Sequence, residues 1–429
     1  MKIVYLVTGS GGQFYCDNCY RDMLYIRAIR KVPDVTANAI PLYLPPDTPE
    51  AISAVDSHVF FGAISLYLRE KVKFLRNMPA FLDKVFDSRP LLKLAASRAG
   101  STRSEGMEDL TLDMIRGNNP SREKETDRLV KYLIETGKPD VIHLSNALIL
   151  GLASLLKRRM DVKIVCSLQN EDDWINDMAE PFQSNAWKLI AAEAVNVDAF
   201  ISPSYYFKEF FMNKTGLSGH NIYVVPSGYE PFFLPEKSTT LRAPSIGYFS
   251  RINFNNGFDK LADAFIKLKS ESGMSDLTLH VCGGYTGDDE PFIRKQLIKI
   301  KNHGYKNSVR IYTDFRGNER EEFFGNVDVM SVPARKYDAY GLYILEANGA
   351  GIPVVQPATG AFPEILKKTG GGITYLPDNI EELSSSLLKL LTDKNLRNEL
   401  GNTGQKNVKI KLSMEMMAAG LAEVYNKIS

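Results

Sequence analysis

Two acids, Asp338 and Glu346, stand eight positions apart in the run Pro333-Ala-Arg-Lys-Tyr-Asp338-Ala-Tyr-Gly341-Leu-Tyr-Ile-Leu-Glu346-Ala-Asn-Gly-Ala-Gly351-Ile-Pro353-Val-Val. A glycine turn follows the first acid, and an apolar helical stretch separates that turn from the second. A loop that opens a helix aims several backbone N–H groups at one point, where they hold an anion such as a diphosphate. An acid two turns along the same helix reaches the hydroxyls of a ribose on that diphosphate. The segment therefore reads as a nucleotide-sugar site. The plainer alternative is a buried helix between two strands of an α/β sheet.

The elements that must position these residues follow a β-then-α rhythm. In the first half, short apolar runs at 3–7, 140–144, 163–168 and 199–202 are expected strands, with helical patterns at 121–136 and 185–195. In the second half, strands are expected at 245–249, 277–282, 309–313, 327–332 and 353–356, with helices at 258–270, 290–302, 341–348 and 380–391. Such alternation implies parallel sheets with helices on both faces. Between the halves, Pro226, Pro231, Pro235 and Gly228 fall within ten residues and break any helix or inner strand. The expected domains are 1–225 and 226–410, each doubly wound, followed by a last helix at about 411–429. Ligands of such folds sit at the carboxyl ends of strands, so the cleft between the domains is the expected site.

Composition narrows the class. The chain has 429 residues, 44% hydrophobic and 24% charged, with a formal net charge of +1. That is a soluble globular profile with no global field for nucleic acid. The opening apolar run is too short for a signal peptide, and no segment reaches the roughly 20 apolar residues of a membrane helix. Four cysteines fit a reducing compartment, so a cytoplasmic protein is expected. Residues 50–120 break the rhythm. Between 64 and 103, nine Lys/Arg stand against three acids, with aromatics and leucines interleaved. This reads as a basic helical insertion, suited to an anionic membrane surface or an anionic acceptor, or else as a solvated cap.

The chain resembles the retaining glycosyltransferases of family 4, which have the GT-B fold of two Rossmann-like domains. The resemblance rests on Asp338, Tyr340-Gly341, Leu345-Glu346-Ala347 and Gly351-Ile-Pro353-Val-Val. It is supported by Gly11-Gly12, by Val224-Val-Pro-Ser-Gly228, by Ser250-Arg251-Ile252 with Gly257 and Leu261, and by Gly283-Gly284 and Gly360-Ala-Phe-Pro-Glu364. By that resemblance, Glu346 holds the donor ribose. Asp338 and the backbone of Ala339, Tyr340, Gly341 and Leu342 hold the sugar hydroxyls and, with Tyr343 and Ile344, the diphosphate. Arg251 neutralises the leaving phosphate, Gly12 allows backbone approach, Glu364 is structural, and the C-terminal helix at about 411–429 crosses back onto the first domain. The resemblance implies no cofactor, with a nucleotide sugar as donor and a glycan, lipid-linked or small-molecule acceptor. Fixed cations and amides suffice to stabilise the departing diphosphate, so no metal is called for, and no His/Asp cluster has metal spacing.

Three positions depart from the family pattern. Asp338 replaces a glutamate. Asn256 replaces the lysine before Gly257, with Lys260 four residues on as a partial substitute. Gln169 replaces a histidine, followed by Asn170-Glu171-Asp172-Asp173-Trp174, an acidic run that reads acceptor hydroxyls or caps a helix. Gln169, Asn170, Glu171 and Trp174 are thus the candidate acceptor contacts. His143 ends an expected strand and is either a catalytic or substrate contact or a satisfied structural histidine. Cys16 and Cys19, at an expected helix start, read as packing, redox or half of a metal site. Competing functions are a non-catalytic nucleotide-sugar or glycan binder, motivated by the missing lysine and histidine, and a GT-B epimerase.

Overall fold

The structure is a computed structural model that describes residues 1–8, 14–42, 104, 106–117, 120–219, 221–234, 243–271 and 273–429. Most of the expected insertion at 50–120 lies outside these residues, as do Gly11 and Gly12. The chain divides into two compact units. The first comprises Met1–Gly12, Asn18–Pro226 and Met417–Ser429; the second comprises Gln13–Asp17 and Ser227–Met416.

Among the described residues the first unit holds six strands: β1 Lys2–Val7, β2 Thr36–Pro41, β3 Val141–Leu144, β4 Lys163–Ser167, β5 Ala199–Ser202 and β6 Ile222–Val224. They form one sheet in the order β2-β1-β3-β4-β5-β6. Every neighbouring pair is parallel, Ile3 facing Val141 and His143 facing Val165 in register. Ile3, Leu6, Ile142, Leu144, Ile164, Val165, Phe200 and Ile201 are all fully buried. A parallel sheet covered on both faces requires such continuous apolar strands. Helix Tyr205–Thr215 shows how local chemistry sets its bounds. The Ser204 hydroxyl accepts from the Phe207 N–H at 3.1 Å, and left-handed Gly216 ends the helix.

The second unit repeats the scheme with β7 Ser245–Phe249, β8 Thr278–Cys282, β9 Val309–Ile311, β10 Val329–Met330, β11 Val354–Pro357 and β12 Gly372–Tyr375. Its order is β12-β11-β10-β7-β8-β9, again all parallel. Chain direction across the sheet reverses between β7 and β10. A crevice opens at the carboxyl ends of strands at such a switch point, and ligands of doubly wound sheets bind there. In the first unit the corresponding point lies between β1 and β3.

Three strands escape the sequence pattern. β2 carries Asn38 and ends in Pro41, and both β2 and β6 lie at sheet edges. β12 is also an edge strand and opens in the glycines 370–372. Edge strands need less apolar surface and tolerate turn-forming residues. The strand expected at 327–332 shortens to two paired residues.

Candidate functional site

The loops that leave β7 and β10 hold the second unit's candidate site. After β7, Ser250 and Arg251 lead through a turn to helix Phe258–Ser270, which starts behind Gly257 at φ 72°. A Cβ on Gly257 would lie 1.9 Å from the Pro333 carbonyl oxygen, so only glycine lets the β7 loop lie against the β10 loop. The Arg251 Nε donates to Asp289 Oδ2 at 2.9 Å, Nη2 donates to the Thr286 hydroxyl at 2.9 Å, and the guanidinium lies 4.6 Å from the Phe14 ring centroid.

After β10 the chain reaches Asp338, which is 2% exposed. Its Oδ1 accepts the Tyr340 N–H at 3.2 Å, its carbonyl accepts the Ala361 N–H at 3.0 Å, and Lys336 Nζ lies 3.8 Å from Oδ2. Gly341, at φ 85°, then opens helix Leu342–Gly349, all eight residues of which are buried. No side chain caps this N-terminus. A buried, uncapped helix start concentrates positive partial charge from its orphan N–H groups. The buried Tyr343 hydroxyl has no hydrogen-bond partner, and burial with the nearby Asp338 carboxylate pushes it well above the ordinary phenol range.

Glu346 lies one turn further along, 3% exposed. Its Oε1 accepts from Arg320 and its Oε2 from the Tyr15 hydroxyl. Neither partner stands out in the sequence: Arg320 is one charge among several on helix Asn318–Asn326, and Tyr15 lies 331 positions from Glu346. Asp17 faces the same region. Burial, then the Asp338 and Glu346 carboxylates, raise its carboxyl well above the usual range, and its Oδ1 is buried without a hydrogen-bond partner.

Asn256, which stands where the family has a lysine, and Lys260, expected to substitute for it in part, are both engaged within the protein. Asn256 donates to the Ser250 hydroxyl at 3.0 Å and to the Arg251 carbonyl at 2.9 Å, which makes it a brace of the β7 loop. Lys260 directs its ammonium 2.6 Å from Asp378, just past β12, so its charge is already neutralised within the protein.

In the first unit, His143 calls for a correction. It is fully buried in β3, with Nδ1 2.6 Å from the Tyr425 hydroxyl and Nε2 2.8 Å from the Ser167 hydroxyl. Its ring stacks on Tyr5 at 4.5 Å. Burial, with the Arg21 charge, lowers its pKa to about 3. Both nitrogens are occupied and the ring is held neutral, so the geometry favours the structural alternative over the catalytic one. The residue lies within the strand rather than past its end, and the helix Met414–Ile428 supplies the tyrosine that covers it.

The acceptor candidates are also bound internally. Glu171, which burial raises above its usual range, accepts the Ala147 N–H at 2.8 Å and the Gln169 N–H at 2.9 Å. The Gln169 side chain donates to Asp22, and the Gln169 backbone carbonyl accepts from the Asn18 side chain at 2.8 Å. Asn170, left-handed at φ 56°, precedes helix Glu171–Asn176. The Trp174 indole donates to the Thr111 hydroxyl at 3.0 Å. These contacts tie together the loops after β3 and β4. Cys16 and Cys19 are each half-buried and are not joined in a disulfide. Among the described residues no group of three His, Cys, Asp or Glu side chains is placed to share a metal ion. Nor is any helix among them long and apolar enough to cross a membrane.

Two parallel, doubly wound sheets, with an uncapped buried helix start and a paired buried carboxylate beside one switch point, define a two-domain α/β protein. Comparison with known proteins names the family. The model for glycosyl transferases group 1 matches residues 234–407, and that for Glycosyltransferase Family 4 matches residues 111–231. Together the two matches support a glycosyltransferase of the group 1, family 4 type. A D-inositol 3-phosphate glycosyltransferase from Corynebacterium jeikeium is 24% identical over 193 residues, 45% of this chain and 46% of that protein. The chain spans less than half the length of the first curated relatives it matches. Among solved structures, sucrose-phosphate synthase from Thermosynechococcus elongatus has a TM-score of 0.70 at 15% identity, covering 100% of this chain and 99% of that one. HepE from Anabaena, solved with UDP and glucose, has a TM-score of 0.70 at 15% identity, covering 99% of each chain. These likenesses give the chain the two-domain GT-B fold.

Proposed function

We propose that this chain is a retaining, metal-independent glycosyltransferase that moves a sugar from a nucleoside-diphosphate sugar to a glycan, lipid-linked or small-molecule acceptor. The observation that carries the reading is the uncapped start of helix Leu342–Gly349 with Glu346 on the same helix, beside the β7–β10 switch point. The helix start attracts the diphosphate, and Glu346 accepts from the ribose hydroxyls. Asp338 and the backbone of Ala339, Tyr340, Gly341 and Leu342 orient the sugar, with Tyr343 adding an unpartnered hydroxyl. Breaking the glycosyl–phosphate bond builds negative charge on the diphosphate, and Arg251 is the nearest cation of the β7 loop to meet it. The HepE complex with UDP and glucose supports a nucleotide sugar as donor. The basic stretch at 64–103 is the part suited to an anionic acceptor or membrane surface.

A second reading, a binder without turnover, is favoured by one observation. Arg251 and Lys260 are each paired with an aspartate, and Asn256 brings no charge. Calorimetry with a panel of nucleotides and nucleotide sugars tests the donor site. One nucleotide sugar binds, and Glu346→Ala weakens it about 10- to 100-fold, the loss expected for hydrogen bonds to a carboxylate. If no member binds the wild type, the donor-site reading is wrong. Sugar transfer to an added acceptor separates the enzyme from the binder.

A further inference from the structure

The two partners of Glu346 are held in very different ways. Arg320 is carried by helix Asn318–Asn326, and its guanidinium is sandwiched by aromatic rings, 3.9 Å from the Phe232 centroid and 5.6 Å from that of Phe324. Only 12% of its side chain is exposed. Ordering it costs little more when ligand arrives, because packing has already fixed its rotamer. Tyr15 comes instead from a short non-helical segment. Its N–H donates to the Gly283 carbonyl at 2.7 Å, and Phe14 beside it bridges to Gly284. Its ring leans on Phe249 at 4.7 Å and Phe315 at 6.4 Å, and its hydroxyl donates to Glu346 Oε2.

A tyrosine hydroxyl on a carboxylate oxygen makes the same O–H···O⁻ bond that a ribose hydroxyl makes. Exchanging one for the other conserves the bond, whereas removing the Arg320 bond leaves a buried carboxylate oxygen short of a charged donor. Phe14 of the same segment lies over Arg251, so these two neighbouring residues cover the group assigned to the ribose and the one assigned to the leaving phosphate.

We infer that Arg320 is a positioning residue that locks one oxygen of Glu346, and that the Tyr15 hydroxyl occupies the place of a ribose hydroxyl on the other and is exchanged for it when nucleotide binds. The inference rests on the donor-site reading. It assigns nucleotide selectivity for ribose to three residues, where the family resemblance named only Glu346.

The test is calorimetry with UDP, GDP and ADP and with their 2′,3′-dideoxy counterparts, on wild type, Tyr15→Phe, Arg320→Met, Arg320→Lys and Glu346→Gln. Wild type prefers the ribose form, and Glu346→Gln abolishes that preference. Tyr15→Phe removes the internal competitor and strengthens ribonucleotide binding by about 3- to 10-fold, the worth of one hydrogen bond, with little change for the dideoxy form. Arg320→Met lowers the ribose preference at least about 10-fold, and Arg320→Lys restores part of it. A residue that merely supports the fold would weaken both forms alike, and thermal melting identifies a variant that has lost its structure. If Glu346→Gln abolishes the preference while the Tyr15 and Arg320 variants leave it at the wild-type value, the inference is overturned and the donor site stands. If Glu346→Gln leaves the preference intact, or if neither wild type nor Tyr15→Phe binds any of the six, the donor-site reading falls and this inference falls with it.

Discussion

Two buried polar clusters, one in each unit, look alike in composition and differ in what they offer a ligand. Around His143, the partners are Tyr425, Ser167 and Tyr5, all with fixed places in the first unit's core. Around Glu346 and Asp338, the surroundings are an uncapped helix start, an arginine clamped by aromatics and a tyrosine on a short segment. The first cluster is made of side chains within strands, covered by a helix. The second is made of residues beyond strand ends, where the backbone turns its N–H groups outward. A titratable residue near the carboxyl end of a parallel strand is therefore not a site by its position alone. What matters is whether its partners belong to the fixed core or can be exchanged.

The largest contrast comes from substituting the two centres. His143→Ala removes two buried hydrogen bonds and strands the Ser167 hydroxyl, while Tyr425 keeps Tyr5 as a partner, costing about 2–5 kcal/mol of stability in urea unfolding. Nucleotide affinity stays at the wild-type value. A fall in affinity with stability preserved would place His143 in the site after all.

Acid sharpens the same comparison. The native state keeps His143 unprotonated down to about pH 3, while the unfolded chain takes up a proton below about 6.5. The group's contribution is therefore present above pH 6.5 and lost as pH falls toward 3, by up to about 1.4 kcal/mol per pH unit. Between pH 7 and 5, wild type should lose up to about 2 kcal/mol more than His143→Gln does. Equal slopes for the two proteins would contradict a buried neutral imidazole.

Glu171→Gln comes next. It weakens the clamp on the Ala147 and Gln169 N–H groups and costs about 1–2 kcal/mol, with no change in nucleotide binding. An effect confined to acceptor turnover would move Glu171 out of the structural class.

Asp17→Asn has the opposite sign and the smallest size. The carboxyl's raised pKa means that the native state holds a proton the unfolded chain gives up. Its contribution is present below the ordinary aspartate value and is lost as pH rises toward the folded value. Replacing it should stabilise the protein by about 1 kcal/mol at neutral pH, with a smaller gain at pH 4. A gain that shrank with rising pH would show that the carboxylate is instead welcomed in this position.

The sequence by itself determined the α/β class, nine of the twelve strands among the described residues and the placement of Asp338, Gly341 and Glu346 around a helix start. These are local properties. Apolar run length, a glycine at a turn and an acid one turn along a helix each leave their mark within a few residues. Only the tertiary structure decided which polar groups are spent on the fold. Tyr5 meets Tyr425 across 420 positions and Tyr15 meets Glu346 across 331, and no periodicity encodes such pairs. His143, Glu171 and Lys260 carry the residue types of a site, yet Tyr425, Ala147 and Asp378 satisfy them. A buried polar group must find a partner, and the chain's own path through space chooses which one.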